Sequence, residues 1–197
     1  MSPSLGALDG RVAAAPISWG ICEVPGWGEV LPSDRVLGEM RDLGIPATEL
    51  GAPGFLPETA DELNALLAGY GLTMIGGFVP LVLHDPEQRA DALRRATEVA
   101  QLFQAAGATR FVTALVQDYD WSTPVPLDAA GMAIVGEGLR EVDAICSAHG
   151  LMQVLHPHVA DDSRVAVRFR REGQTAAALR HPAIVPVHAV GDHEGRT

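Results

Sequence analysis

Lysine is missing from the sequence altogether, so all 14 residues counted as lysine or arginine are arginines. A Schiff-base lysine and the lysine of a phosphate-binding P-loop are therefore both excluded. The remaining charge is one-sided, because 25 acidic residues give a formal net charge of −11 at pH 7. Such a surface repels phosphate backbones and anionic lipid headgroups, so we expect neither nucleic acid nor a membrane as a partner.

Cysteines and long apolar runs are also scarce. The two cysteines, Cys22 and Cys146, match no zinc or redox spacing, so reduced thiols are expected. No uncharged apolar run reaches the roughly 18 residues of a membrane span. The N-terminus lacks the basic-then-apolar order of a secretory signal peptide. These features together predict a cytoplasmic protein.

The sequence does contain a repeated unit, in which an apolar strand is followed by a helix. Glycine is predicted to end each of four helices, and a strand follows each of these glycines at once. The four glycines are Gly44, Gly71, Gly107 and Gly150. Helix starts are indicated by Ser33 or Asp34, a Thr59–Glu62 capping box, Asp85-Pro86 and Asp128. The predicted strands cover residues 11–20, 45–50, 72–83, 108–116 and 151–159.

Strands that alternate with helices in this way indicate a parallel sheet covered by helices. The choice lies between an open doubly wound sheet and a (β/α)8 barrel. No G-x-G-x-x-G follows the first strand, which counts against an open sheet that binds a dinucleotide. Polar and aromatic side chains instead gather at strand ends, where a barrel places its active site. They are Trp19, Glu49, His84, Asp118, His156 and His158.

The fifth strand ends in Leu-His-Pro-His-Val at residues 155–159. Side chains two residues apart on a strand point to the same face, so His156 and His158 can both reach one ligand, metal or substrate. The alternative is that Pro157 marks the end of the strand and both imidazoles simply lie at its mouth. A His-x-His pair is a weak motif by itself, so both interpretations stay open.

Four motifs give this pattern a more specific resemblance. They are APISWG at residues 15–20, EVPGWG at 23–28, TELG at 48–51 and LHPH at 155–158. Their order resembles that in inosose-dehydratase-like members of the sugar phosphate isomerase/epimerase family, which are TIM barrels of the xylose isomerase type. The resemblance covers residues 11–159.

The resemblance implies a small-molecule sugar or cyclitol as substrate. It also implies a divalent metal (manganese, cobalt or zinc) that polarises a hydroxy-ketone while a carboxylate moves protons. On this basis Glu49 and His158 are candidate catalytic residues, Trp19, His84 and His156 are candidate substrate contacts, and His156 and His158 are candidate metal ligands. Two alternatives remain: Glu49 as an exposed surface carboxylate, and His84 as a loop or cap residue.

The sequence departs from this family directly after the fifth strand. The family continues there with Gly-Thr and a glutamate, and later strands bring an aspartate, a histidine and another glutamate to the metal. Here residues 160–164 read ADDSR. The sequence accounts for about five βα units of a barrel that typically needs about 250 residues. We therefore expect a partial barrel over residues 11–159, with loose metal binding, little or no activity, and self-association through open strand edges.

Residues 160–197 resemble a different family. The segments at 168–179, 181–185 and 187–191 are similar to the αC helix, the following loop and the fourth strand of bacterial serine/threonine protein kinases. The resemblance puts Glu172 where a kinase pairs a glutamate with its ATP-binding lysine. Because the lysine, the glycine-rich loop and the catalytic loop are all missing, kinase activity is excluded. We predict a short helix and strand here, joined near Ala160 by a genuine fusion or by a truncated or frameshifted reading frame.

Three functions are consistent with these patterns. The first is a metal-dependent isomerase, epimerase or dehydratase that acts on a sugar or an inositol-like ketone. The second is a non-catalytic remnant that binds a polyol weakly or not at all. The third is a protein-interaction module built on the kinase-like tail.

Overall fold

A computed structural model of the protein describes residues 12–22, 24 and 29–156. They lie in one compact unit that ends at His156. The predicted helix and strand of the tail, over residues 160–197, lie outside the described residues. No helix in the described part is long and apolar enough to cross a lipid bilayer.

Five parallel strands and four α-helices alternate along the described chain, which confirms the predicted α/β class. The strands are β1 (Ala13–Ala14), β2 (Ala47–Glu49), β3 (Thr73–Leu81), β4 (Arg110–Leu115) and β5 (Met152–His156). The helices are α1 (Ser33–Asp42), α2 (Ala60–Gly69), α3 (Arg89–Ala105) and α4 (Ala129–Ala148).

The sheet order is β1-β2-β3-β4-β5, so each strand pairs with the next one along the chain. All four pairings are parallel. A doubly wound sheet instead reverses its order at a switch point. The unbroken order therefore confirms the predicted partial barrel of five βα units.

The first predicted strand, over residues 11–20, is wrong in its extent. Within the described part of this segment, residues 12–20, only Ala13–Ala14 pair with β2, and the chain then forms a 3-10 helix, Pro16–Trp19. Proline fixes its own φ and offers no N–H to a sheet ladder, so Pro16 favours a helical start. Gly20 ends this turn with a φ of 87°.

The predicted start of the third helix at Asp85-Pro86 is also wrong. The Asp85 carboxylate accepts the backbone N–H of Glu87 at 2.9 Å and the side-chain amide of Gln88 at 2.8 Å. These two bonds form a turn, which lowers the pKa of Asp85, chiefly through the Gln88 amide. Helix α3 then begins at Arg89, one turn later than predicted.

The core lies between the helices and one face of the sheet. Phe103 of α3 and Phe111 of β4 are fully buried, with ring centroids 5.8 Å apart. A Cβ on Gly77 of β3 would meet the Phe103 ring at 3.0 Å, so glycine gives that ring its space. Residues 77 and 111 are register partners and both face α3. Because side chains alternate along a strand, Phe78 of β3 faces the opposite side of the sheet.

The two cysteines should differ sharply in reactivity. Burial raises the pKa of the Cys146 thiol from its ordinary 9.0 to about 11, whereas Cys22 is only half-buried. The thiolate is the nucleophile, and two pKa units leave about 100-fold less of it. We expect iodoacetamide to alkylate Cys22 at least about 100-fold faster than Cys146 in the native protein, as followed by peptide mass spectrometry.

Cys146 should react as fast as a free thiol once the protein is unfolded in urea. Equal native rates at the two cysteines would contradict the burial of Cys146.

The raised pKa of Cys146 also makes the free energy of unfolding depend on pH. Between about pH 9 and about pH 11 the unfolded chain ionises this thiol while the folded chain does not. The free energy of unfolding is therefore expected to fall across that range.

Candidate functional site

Three of the predicted site residues lie at the carboxyl ends of strands. Glu49 is the last residue of β2, His156 is the last residue of β5, and His84 follows β3 after a short buried segment. Because the strands are parallel, all three lie along the same edge of the sheet. This is the edge at which barrel enzymes carry their chemistry.

Glu49 and His156 also share the face of the sheet that is opposite the helices. A Cβ on Gly77, which faces α3, would lie 3.1 Å from Cβ of Leu50, so Leu50 is on the helix side. Alternation along the strand then puts Glu49 on the opposite side. His156 pairs in register with Ala114, which lies on the same face of the sheet as Phe78. The interpretation of Glu49 as a catalytic carboxylate stays a prediction.

An aromatic cluster surrounds His156 on this face. The His156 ring meets Phe78 edge-on, with centroids 5.2 Å apart, and Phe78 stacks with Trp121 at 6.3 Å and an interplanar angle of 21°. Phe78 and Trp121 were not among the predicted site residues. The signal available in the sequence was an aromatic residue in the strand that precedes His84, together with a tryptophan in the loop after the next strand.

Trp121 is held by its loop. The Asp118 carboxylate accepts the backbone N–H groups of Asp120 and Ser122, both at 3.0 Å, on either side of the tryptophan. These bonds, led by the one from Ser122, lower the pKa of Asp118. Trp121 itself has a φ of 61°, which is the left-handed region and is unusual for a bulky residue. Backbone strain of this kind is typical of ligand-contacting segments.

His84 is tied to the same loop through Gln117. The Gln117 side-chain oxygen accepts the Val125 N–H at 3.1 Å, which orients the amide, and its nitrogen then lies 3.1 Å from His84 Nε2. An amide nitrogen can only donate, so His84 Nε2 accepts and the ring proton belongs on Nδ1. His84 is therefore a loop-anchoring residue. Its predicted substrate contact stays a prediction.

The Trp19 side chain makes a polar contact with helix α1. Its indole N–H donates to Glu39 Oε2 at 2.8 Å, and Arg35 binds the other oxygen of the same carboxylate at 3.0 Å. These two donors, Arg35 first, lower the pKa of Glu39. The N–H of Trp19 is thus used within the fold, and its half-buried side chain packs against the core. The predicted sugar-facing wall stays a prediction.

The predicted metal pair falls partly outside the described residues. His158 and residues 23 and 25–28 of the EVPGWG motif are among those not described. Within residues 12–22, 24 and 29–156, no three His, Cys, Asp or Glu side chains come together in a group that could hold a metal ion. The described residues by themselves therefore do not fit a divalent metal, and metal binding by His156 and His158 stays a prediction.

Two kinds of curated protein match this chain, a dehydratase over 157 residues and a protein kinase over 43 residues. The chain is 27% identical to the inosose dehydratase of Geobacillus kaustophilus over 157 residues, which covers 75% of this chain and 50% of that protein. The chain is also 37% identical to the rhizopine catabolism protein MocC of Rhizobium meliloti over 68 residues. This shorter match covers 34% of this chain and 20% of MocC. No family model matches the chain.

Solved structures show the same fold. A sugar phosphate isomerase/epimerase from Parabacteroides distasonis superposes with a TM-score of 0.56 at 13% identity, over 76% of this chain and 52% of that one. The D-psicose 3-epimerase of Clostridium cellulolyticum, solved with D-tagatose, superposes with a TM-score of 0.56 at 18% identity. The match covers 81% of this chain and 58% of the epimerase. A xylose isomerase-like TIM barrel protein from Mycobacterium smegmatis, solved with magnesium, superposes with a TM-score of 0.54 at 19% identity. The match covers 80% of this chain and 60% of that protein.

The chain is similar to inosose dehydratase, and its fold is that of the sugar phosphate isomerase/epimerase barrels. This confirms the resemblance predicted from the four motifs. The chain spans about half the length of the inosose dehydratase it matches.

The second resemblance is confirmed as well. A segment of 43 residues is 51% identical to the serine/threonine-protein kinase PknB of Mycolicibacterium smegmatis. It covers 22% of this chain and 7% of the kinase.

Proposed function

We propose that the protein binds a sugar or an inositol-like hydroxy-ketone on the sheet face that carries Phe78, Trp121 and His156. The observation that carries this proposal is the aromatic cluster at the carboxyl edge of the sheet. Sugars present apolar C–H faces as well as hydroxyl groups, and aromatic rings offer a rigid apolar surface for them. Support comes from the similarity to inosose dehydratase and from an epimerase of this fold whose structure contains D-tagatose.

We further propose that the reaction class is isomerisation, epimerisation or dehydration, with Glu49 as the carboxylate that moves a proton. Removal of a proton next to a carbonyl builds up negative charge on the oxygen, which needs a cation or strong donors to stabilise it. A divalent metal supplies that in such enzymes, and a structure of this fold contains magnesium. The described carboxylates and imidazoles do not form such a site. We therefore expect turnover by this chain to be absent or very weak.

The second candidate function is a non-catalytic chimera that acts as an interaction module. The observation that favours it is the 51% identity of a 43-residue segment to a protein kinase, in a chain that is otherwise similar to a dehydratase. In this proposal the partial barrel covers residues 11–159 and the kinase-like part covers 160–197. A pull-down that compares the full chain with a chain ending at residue 159 tests it.

The catalytic proposal is tested by assaying inosose dehydration and ketose epimerisation with added Mn²⁺, Co²⁺ or Zn²⁺. We expect turnover near background for the parent and for Glu49→Gln and His158→Ala. Robust turnover by the parent that is abolished in His158→Ala would contradict this and would mean that another subunit completes the site. His149→Ala is the matched control, because that imidazole binds Gln104 at 2.8 Å between α3 and the end of α4.

A further inference from the structure

Gln117 ties together the loop that joins β4 to α4, residues 116–128, which we call the Trp121 loop. The Gln117 side-chain oxygen accepts the backbone N–H of Val125 at 3.1 Å, so the chain closes on itself with Trp121 midway between the two. Residues 122–128 are exposed, so burial does little to fix this part of the loop. The Val125 bond therefore helps to set where the Trp121 ring lies against Phe78.

The donor and acceptor roles in this tie depend on the charge of His84. The nitrogen of the Gln117 amide lies 3.1 Å from His84 Nε2, and an amide nitrogen can only donate. His84 must therefore be neutral, with Nε2 free of a proton, while the Gln117 oxygen holds Val125. A charged imidazole has N–H donors on both ring nitrogens and cannot accept this bond.

Protonation of His84 leaves Gln117 with two donors to satisfy and one oxygen. The amide can turn over and offer its oxygen to the charged ring, which is the stronger hydrogen bond because the donor carries a charge. Its nitrogen then faces the Val125 N–H, and two donors do not bond. The loop thus loses its contact with Gln117 when His84 gains a proton.

A second histidine–glutamine pair shows that this sensitivity comes from the orientation of the amide. His149 Nδ1 lies 2.8 Å from the side-chain oxygen of Gln104. An amide oxygen only accepts, so His149 donates in this pair, and a charged ring donates equally well. Protonation therefore preserves the pair at His149 and breaks the arrangement at His84.

The charges near His84 favour its charged form. Two carboxylates lie close enough to interact with it, Asp85 in the turn after β3 and Asp118 in the Trp121 loop. The pKa of Asp85 is lowered chiefly by the Gln88 amide, and that of Asp118 chiefly by the Ser122 N–H. Both carboxylates therefore stay ionised between about pH 5 and about pH 8, the range in which a histidine ordinarily changes its charge.

We propose that His84 and Gln117 are positioning residues for Trp121, and that a proton on His84 Nε2 releases the Trp121 loop from Gln117. The protein then holds a sugar or cyclitol more weakly at low pH than at neutral pH. This consequence for the ligand rests on the proposed function, whereas the release of the loop rests on the two hydrogen bonds of Gln117 alone.

NMR of the 15N-labelled full chain tests the release without any ligand, through the protection of the Val125 amide from solvent exchange. Protection compares the exchange rate with that of an unfolded chain at the same pH, so the intrinsic effect of pH on exchange cancels. We expect protection to fall by about threefold to tenfold between about pH 7.5 and about pH 5.5, as for the loss of one hydrogen bond.

Gln117→Glu should abolish this dependence on pH. Both oxygens of a carboxylate accept, so one holds the Val125 N–H while the other binds His84 in either charge state. His84→Gln should abolish it too, because an amide offers Gln117 an acceptor that does not titrate. His149→Gln is the matched control and should keep the response of the parent. Thermal melts establish that all three variants are folded.

Calorimetry with fructose and myo-inositol measures whether ligand binding follows the loop. Affinity should fall by about threefold to tenfold in the parent over the same pH range, and less in Gln117→Glu. The imidazole of His156 lies on the proposed sugar surface and is common to both proteins, so the difference between them reports the loop.

The inference is overturned if the protection of Val125 does not change with pH in the parent, or if it falls equally in Gln117→Glu. If protection falls as expected but neither fructose nor myo-inositol binds at any pH, the release of the loop stands and the proposed sugar surface fails. If a sugar binds with the same pH dependence in the parent and in Gln117→Glu, the sugar surface stands and the positioning role of Gln117 fails.

Discussion

Replacing Gly76 by alanine is expected to lower the free energy of unfolding by at least about 3 kcal/mol. Gly76 lies in β3, between β2 and β4, and a Cβ there would be placed 2.1 Å from the carbonyl oxygen of Arg110. That atom is backbone and cannot swing away, so the strands must separate or lose register. Overpacking of a fixed interior costs about 1–3 kcal/mol, and lost ladder hydrogen bonds add to it. Urea denaturation followed by circular dichroism measures the change.

Gly136→Ala is the matched control, with the opposite expected sign. Gly136 is in the interior of α4, and beyond its chain neighbours and the adjacent helix backbone no atom lies within 4 Å of the Cβ it would gain. Alanine should therefore raise the free energy of unfolding by about 0.5–1 kcal/mol. If Gly76→Ala were as stable as the parent, the close approach of β3 and β4 at residue 110 would be wrong.

The repeating architecture could be predicted because its causes are local. A glycine just after each helix supplies the left-handed turn that leads the chain into the next strand. Gly71 and Gly107, for example, have φ values of 69° and 78°. An amphipathic helix and an apolar strand are each encoded within about ten residues, and a short connection leaves few ways to pack them. The α/β class and the strand order followed from this cadence.

The contacts of the site could not be predicted because they join distant residues. Trp19 and Glu39 are 20 positions apart, and nothing in either segment indicates that the indole N–H binds α1. Phe78 and Trp121 meet only because β3 and β4 are neighbours in the sheet and the loop after β4 folds over that face. The late start of α3 has a different cause, since Asp85 can cap a turn as readily as a helix.

Truncating either ring of the aromatic cluster is expected to weaken sugar binding about tenfold, which corresponds to about 1.4 kcal/mol. Phe78→Leu and Trp121→Leu each remove a flat ring from the proposed surface but keep an apolar side chain. The loss follows because leucine offers less contact area and cannot stack. Fructose and myo-inositol are suitable probes, with affinity measured by calorimetry.

Tyr70→Leu serves as the control for this pair of variants. Tyr70 follows α2 and contacts Arg41 of α1, with the guanidinium 5.9 Å from its ring centroid, so it lies on the helix side of the sheet. Its loss should leave sugar affinity unchanged. Trp19→Leu tests whether the sugar-facing wall predicted for Trp19 adds to this surface. If it does, sugar affinity falls in this variant as well. Unchanged affinity in both Phe78→Leu and Trp121→Leu would show that sugar does not bind on this face.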